Sequence, residues 1–108
     1  MMKTRQAIKL CSFQELPEMI GQVFSVGGEE ITLFRLTDGT VRAIENKSPH
    51  PKGGILSEGL VSGHFVFCPM HDWKISLIDG KVQAPDEGQV KVYNIEVSDG
   101  DVKLVCEE

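Results

Sequence analysis

Two short stretches decide how this chain is read: "KSPHPKGG", Lys47–Gly54, and "CPMHDW", Cys68–Trp73. By residue type they give Ser48-x-His50 and, after residues 51–67, Cys68-x-x-His71. A metal centre needs ligands that converge from separate loops, and a two-residue turn lets Cys68 and His71 point at one place. Pro49 and Pro69 follow Ser48 and Cys68 in the same way. Each fixes φ and removes a competing backbone donor, so the two loops share a build. Gly53 and Gly54 permit a tight turn beside them. As a phosphate cradle that pair lacks the following helix or lysine such a site requires. Of the three histidines, His64 stands apart and reads as an exposed loop residue. Trp73 reads as an apolar plug beneath the loops.

Outside these stretches the chain is a series of short apolar runs broken by turn residues. "QVFSV" meets Gly27-Gly28, then "EITLFRL" meets Thr37-Asp38-Gly39 and "VRAIE" follows. Later "KISLI" meets Asp79-Gly80 and "KVQ", and "VKVYNIEV" meets Asp99-Gly100 and "VKLVC". Asp-Gly between apolar runs marks a hairpin, because both residues tolerate positive φ. The pattern predicts an antiparallel, all-β domain. Val102, Leu104 and Cys106 keep strict period two, which places Cys106 on a buried strand face as a small hydrophobe, and Cys11 is read the same way. Ser12 and Glu15 are spaced as a capping box, with Pro17 ending the segment within about a turn. From Asn46 to about Gly63 the strand pattern lapses into Gly, Pro and Ser, and a long loop inside a small domain is there for function.

At 108 residues, 41% hydrophobic and 25% charged, the chain is one globular domain. Its net charge of −5, with no Lys/Arg cluster, argues against a nucleic-acid surface. No apolar run approaches the roughly 20 residues that span a bilayer. The basic start "MMKTRQAIKL" has no apolar core for a secretory signal, so the expectation is a cytoplasmic protein. Three scattered cysteines, Cys11, Cys68 and Cys106, suggest reduced thiols rather than a disulfide framework.

The paired loops resemble the Rieske [2Fe–2S] motif, C-x-H followed by C-x-x-H, in which two cysteines hold one iron and two histidines the other. The likeness runs on through "CPMHDWKISLIDGKV", Cys68–Val82, where Asp72 stands in a position often held by glycine. In its texture the whole chain is similar to the small-subunit family of assimilatory NAD(P)H-dependent nitrite reductases. "ELPEMIGQVFSVGGEEITLFRLTDGTVRAIENKSPH" and "GILSEGLVSGHFVFCPMHDWKISL" carry that likeness. The resemblance implies a Rieske-like antiparallel β-sandwich over residues 1–108. A loop subdomain of about 46–85 would sit on a base formed by 1–45 and 86–108. It also implies a partner, a large subunit carrying FAD, sirohaem and a [4Fe–4S] cluster that reduces nitrite to ammonium.

Carried over by position, His50, Cys68 and His71 match metal ligands, and Ser48 occupies the place of the fourth. A hydroxyl holds its proton far more tightly than a thiol and is a poor ligand for iron of this kind. The expectation is therefore a degraded site without [2Fe–2S], in a non-redox subunit that assists the large chain. The alternative is a working [2Fe–2S] carrier, for instance a ferredoxin of a ring-hydroxylating oxygenase. A third option is a single zinc ion at His50, Cys68 and His71. Catalysis at nitrite belongs to the partner, since this chain carries no dinucleotide fingerprint. Pro51, Ile55 and Met70 mark the loop tip expected to meet that partner.

Overall fold

The structure is a computed structural model that describes residues 5–50, 53–69 and 72–107. Pro51, Met70 and His71 lie outside the described residues, as does the side chain of Cys106. The fold is all-β, as expected. Among the described residues nine strands make two antiparallel sheets: β1 (Arg5–Ser12), β2 (Gln22–Val26), β3 (Glu29–Arg35), β4 (Val41–Glu45), β5 (Leu60–Ser62), β6 (Phe65–Phe67), β7 (Lys74–Ser76), β8 (Val92–Ser98) and β9 (Asp101–Glu107). Six form one sheet in the order β1-β9-β8-β4-β3-β2, and three form another in the order β5-β6-β7.

The hairpins read from Gly27-Gly28, Asp38-Gly39 and Asp99-Gly100 connect β2 to β3, β3 to β4, and β8 to β9. The fourth turn falls short of a regular hairpin. "KISLI" shrinks to β7, and "KVQ" makes only isolated bridges, Ile75 to Val82 and Lys81 to Gln89. Residues Phe13–Glu15 form a single 3-10 turn, with the Ser12 N–H donating to the Glu15 carboxylate at 3.0 Å, as the capping box requires.

Strand β1 carries no alternation in the sequence, because residues 6–9 are exposed on both faces at the sheet edge. Pairing with β9 makes it a strand, and a register shift between Lys9 and Cys11 bends it. Cys11 is accordingly half-buried rather than enclosed. Partial burial and the nearby Glu15 carboxylate push its thiol pKa up.

Two hydrophobic cores lie on opposite faces of β3 and β4. One gathers Leu16, Ile31, Leu33, Val41, Ala43, Val102 and Leu104, with Leu10, Phe24, Tyr93 and Ile95 packed against it. All six strands of the larger sheet contribute to this cluster, so the sheet curls around its own core. The other core gathers Phe34, Ile44, Leu56, Val66, Cys68, Ile75, Val82 and Val90, joining the back of β3–β4 to the smaller sheet. The uneven alternation of "VKVYNIEV" follows from this division. Val90 serves the second core, whereas Tyr93 and Ile95 serve the first. The pattern slips where the chain changes cores.

Candidate functional site

Both loops hang from the second core. The first leaves β4 at Asn46, whose side chain is nearly enclosed. Asn46 Oδ1 accepts the Ser57 N–H at 2.8 Å, its Nδ2 donates to Glu30 at 3.4 Å, and its backbone N–H donates to the Glu30 carbonyl at 3.1 Å. The Ser57 bond fixes the start of the loop to the 3-10 turn Leu56–Glu58 that follows it, the Glu30 bonds tie it to β3, and Leu56 anchors the turn in the core. Sequence reading passed over Asn46. Its one signal is a polar amide at the point where the strand pattern stops.

Within the first loop the Ser48 N–H donates to the Gly54 carbonyl at 3.0 Å, and the Gly53 N–H to the His50 carbonyl at 2.8 Å. Ser48 Oγ accepts the His50 N–H at 3.2 Å. In the second loop the Cys68 N–H donates to the Trp73 carbonyl, and the Asp72 N–H to the Cys68 carbonyl, both at 2.9 Å. Asp72 sits at φ 54°, a left-handed conformation that aspartate tolerates better than most residues, which explains how it stands in a glycine's place.

The loops bring Ser48 and Cys68 together. The Cys68 thiol donates to Ser48 Oγ at 3.2 Å, with Cys68 0% and Ser48 3% exposed. Gly54 presses on the same point. A Cβ added there would lie 3.1 Å from Cys68 Sγ and 3.4 Å from the Ser48 Cβ, at φ 133°. The ring of His50 meets Trp73 edge to face, with centroids 4.7 Å apart. Trp73 thus plugs the core and also steadies this imidazole. A shallow cleft of about 380 Å³ opens onto the site between Glu45, Lys47, Ser48, Pro49 and His50.

His64 is not the plain exposed residue expected. It is half-buried in the turn between β5 and β6, its Nε2 lies 3.0 Å from Asp38 Oδ2, and its Nδ1 is buried. The Asp38 carboxyl is held below its ordinary value, first by the Thr40 side chain and backbone N–H, then by His64.

A curled antiparallel sheet bearing a smaller three-stranded sheet, with two loops that meet at Ser48 and Cys68, defines the class of small β domains built to carry iron–sulfur loops. The chain belongs to the Rieske-like [2Fe–2S] domain family, which matches residues 6–105. In members that hold the cluster, the iron carries electrons at a potential raised by the two histidine ligands.

Among its relatives is the NADH nitrite reductase small subunit of Salmonella typhimurium, 30% identical over 88% of this chain and 93% of that one. The NAD(P)H nitrite reductase large subunit of Klebsiella oxytoca is 29% identical over 86% of this chain, a stretch that makes up 10% of the relative. The NMR structure of the Escherichia coli protein NirD superposes with a TM-score of 0.78 at 28% identity, covering 97% of this chain and 98% of that one. Among the described residues no helix is long and apolar enough to cross a membrane.

The family generically binds [2Fe–2S], but the residues present here do not suit it. Where a thiolate should stand, Ser48 offers a hydroxyl, and that oxygen and Cys68 Sγ are hydrogen-bonded to each other inside a closed contact. One anionic sulfur ligand in place of two leaves an iron under-ligated.

Proposed function

We propose that the chain is the small subunit of a cytoplasmic, assimilatory NAD(P)H-dependent nitrite reductase, and that it serves without a cluster. In this reading the Rieske-like frame positions or stabilises a large flavin- and sirohaem-bearing subunit, which reduces nitrite to ammonium. Residues 46–85 form the unit that carries the loops, on a base of residues 1–45 and 86–108. His50, Cys68 and His71 remain in ligand positions, with Ser48 breaking the set. The observation that carries the reading is the buried Ser48–Cys68 hydrogen bond, taken with the kinship to nitrite reductase small subunits.

Co-expression with the cognate large chain, followed by anaerobic purification, tests it. The expected result is a complex whose small subunit is colourless, holds no stoichiometric iron and gives no reduced-state electron-spin signal. Nitrite-dependent NAD(P)H oxidation by the large chain should nonetheless rise when this chain is added. A small subunit that arrives brown, with about two irons and two sulfides per chain, overturns the cluster-free part. Failure to associate with the large chain overturns the partner.

A further inference from the structure

Each loop is closed on itself by its own backbone: Ser48 to Gly54 and Gly53 to His50 in the first, Cys68 to Trp73 and Asp72 to Cys68 in the second. The bond from the Cys68 thiol to Ser48 Oγ joins the two loops, and both residues that make it are buried. Ser48 Oγ accepts twice, once across the loops from Cys68 and once within its own loop from the His50 N–H. A hydroxyl oxygen has two acceptor sites, so both are in use. In a cluster-bearing domain, metal–sulfur bonds would hold such loops together. A residue that had merely lost its ligand role would not need this set of partners in this degree of enclosure.

We propose that Ser48 is a metal-free clasp: its hydroxyl holds the Ser48 and Cys68 ends of the two loops together, as iron would otherwise do, with no metal bound. This rests on the cluster-free reading above and adds to it that Ser48 maintains the loops rather than marking a vestige. A Cβ at Gly54 would lie only 3.1 Å from Cys68 Sγ, so glycine there leaves the sulfur undisturbed in its bond to Ser48.

The test is amide hydrogen exchange, followed by NMR on the purified full chain, with iron measured on the same sample. In iron-free protein the amides of Ser48, His50, Gly53, Cys68 and Asp72 are expected to be protected, and adding iron and sulfide should leave their rates unchanged. In Ser48→Ala, those amides should exchange at least about fivefold faster, the loss expected from one buried hydrogen bond. The amides of β3 should keep wild-type rates.

Ser48→Cys provides a second variant should the alanine protein fail to fold. A neutral thiol is a weak acceptor, so iron-free Ser48→Cys should also exchange faster, and reconstitution should slow it again. Loop rates unchanged in both variants, or wild-type loops protected only after iron is loaded, overturn the clasp. Stoichiometric iron in the native sample instead overturns the cluster-free reading. Iron-free protein with unprotected loops removes the clasp alone.

Discussion

At Ser48 an oxygen atom stands where the Rieske motif has a sulfur, and what surrounds that atom gives the substitution its meaning. Ser48→Cys, reconstituted anaerobically, is expected to take up about two irons per chain and show a Rieske-type spectrum, because the sequence retains His50, Cys68 and His71 at the spacing of the other three ligands. A variant that stays iron-free would mean that the loops have diverged in more than one ligand. Gly54→Ala should cost about 2–4 kcal/mol in urea unfolding, combining a strained left-handed backbone with contact on Cys68 Sγ. Its neighbour offers a control. At Gly53 an added Cβ meets nothing, so Gly53→Ala should cost only about 1 kcal/mol. Asp72→Gly should be close to neutral and Asp72→Ala destabilising by about 1 kcal/mol, since both keep the Cys68 carbonyl bond and differ in tolerance of φ 54°. Ser48, His50 and Cys68 were legible as candidates from type and spacing alone. That Ser48 and Cys68 bond to each other was not, because residues 49–67 separate them and only the fold closes that distance.

At the scale of the elements, the turns were the most legible features and the edges the least. Gly27-Gly28, Asp38-Gly39 and Asp99-Gly100 mark their hairpins because positive φ is needed there and few residues supply it. Strands β1 and β5 left no such mark. Residues 6–9 of β1 are exposed, and Leu60 of β5 is 79% exposed, so hydrophobic periodicity had nothing to report. Partner strands decide these elements. The β3–β4 turn carries a pH effect whose sign is set by Asp38. Its folded-state carboxyl titrates below the ordinary 3.8, so the stability it contributes is present above that value. That contribution is lost as the pH falls through the lower folded value. NMR titration should show the Asp38 carboxyl shifting upward in Thr40→Ala, and by less in His64→Gln, in keeping with the order of its causes. A larger shift on removing His64 would reverse the assignment.

For the whole molecule, β3 and β4 are the shared wall. Ile31, Leu33 and Ala43 face one core while Phe34 and Ile44 face the other, so neither sheet can lose its packing without exposing the other's. Urea unfolding should therefore be one transition, with Trp73 fluorescence on the loop side and far-UV circular dichroism giving the same midpoint. Leu33→Ala and Leu56→Ala, one in each core and both fully buried, should each lower that common midpoint by the equivalent of about 2–5 kcal/mol. Two separated transitions, with Leu56→Ala moving only the fluorescence, would show that the loop-bearing part unfolds independently.

From its sequence alone this chain determined an antiparallel β domain, its main hairpins and the two loops that carry residues of ligand type. Turn chemistry, period-two alternation and ligand spacing are local properties, and each residue carries them with it. The tertiary structure decided the pairing of β1 with β9, the division into two cores across β3 and β4, and the meeting of Ser48 with Cys68. Those depend on which distant surfaces exclude water from one another, a property of the folded chain and of no single stretch within it.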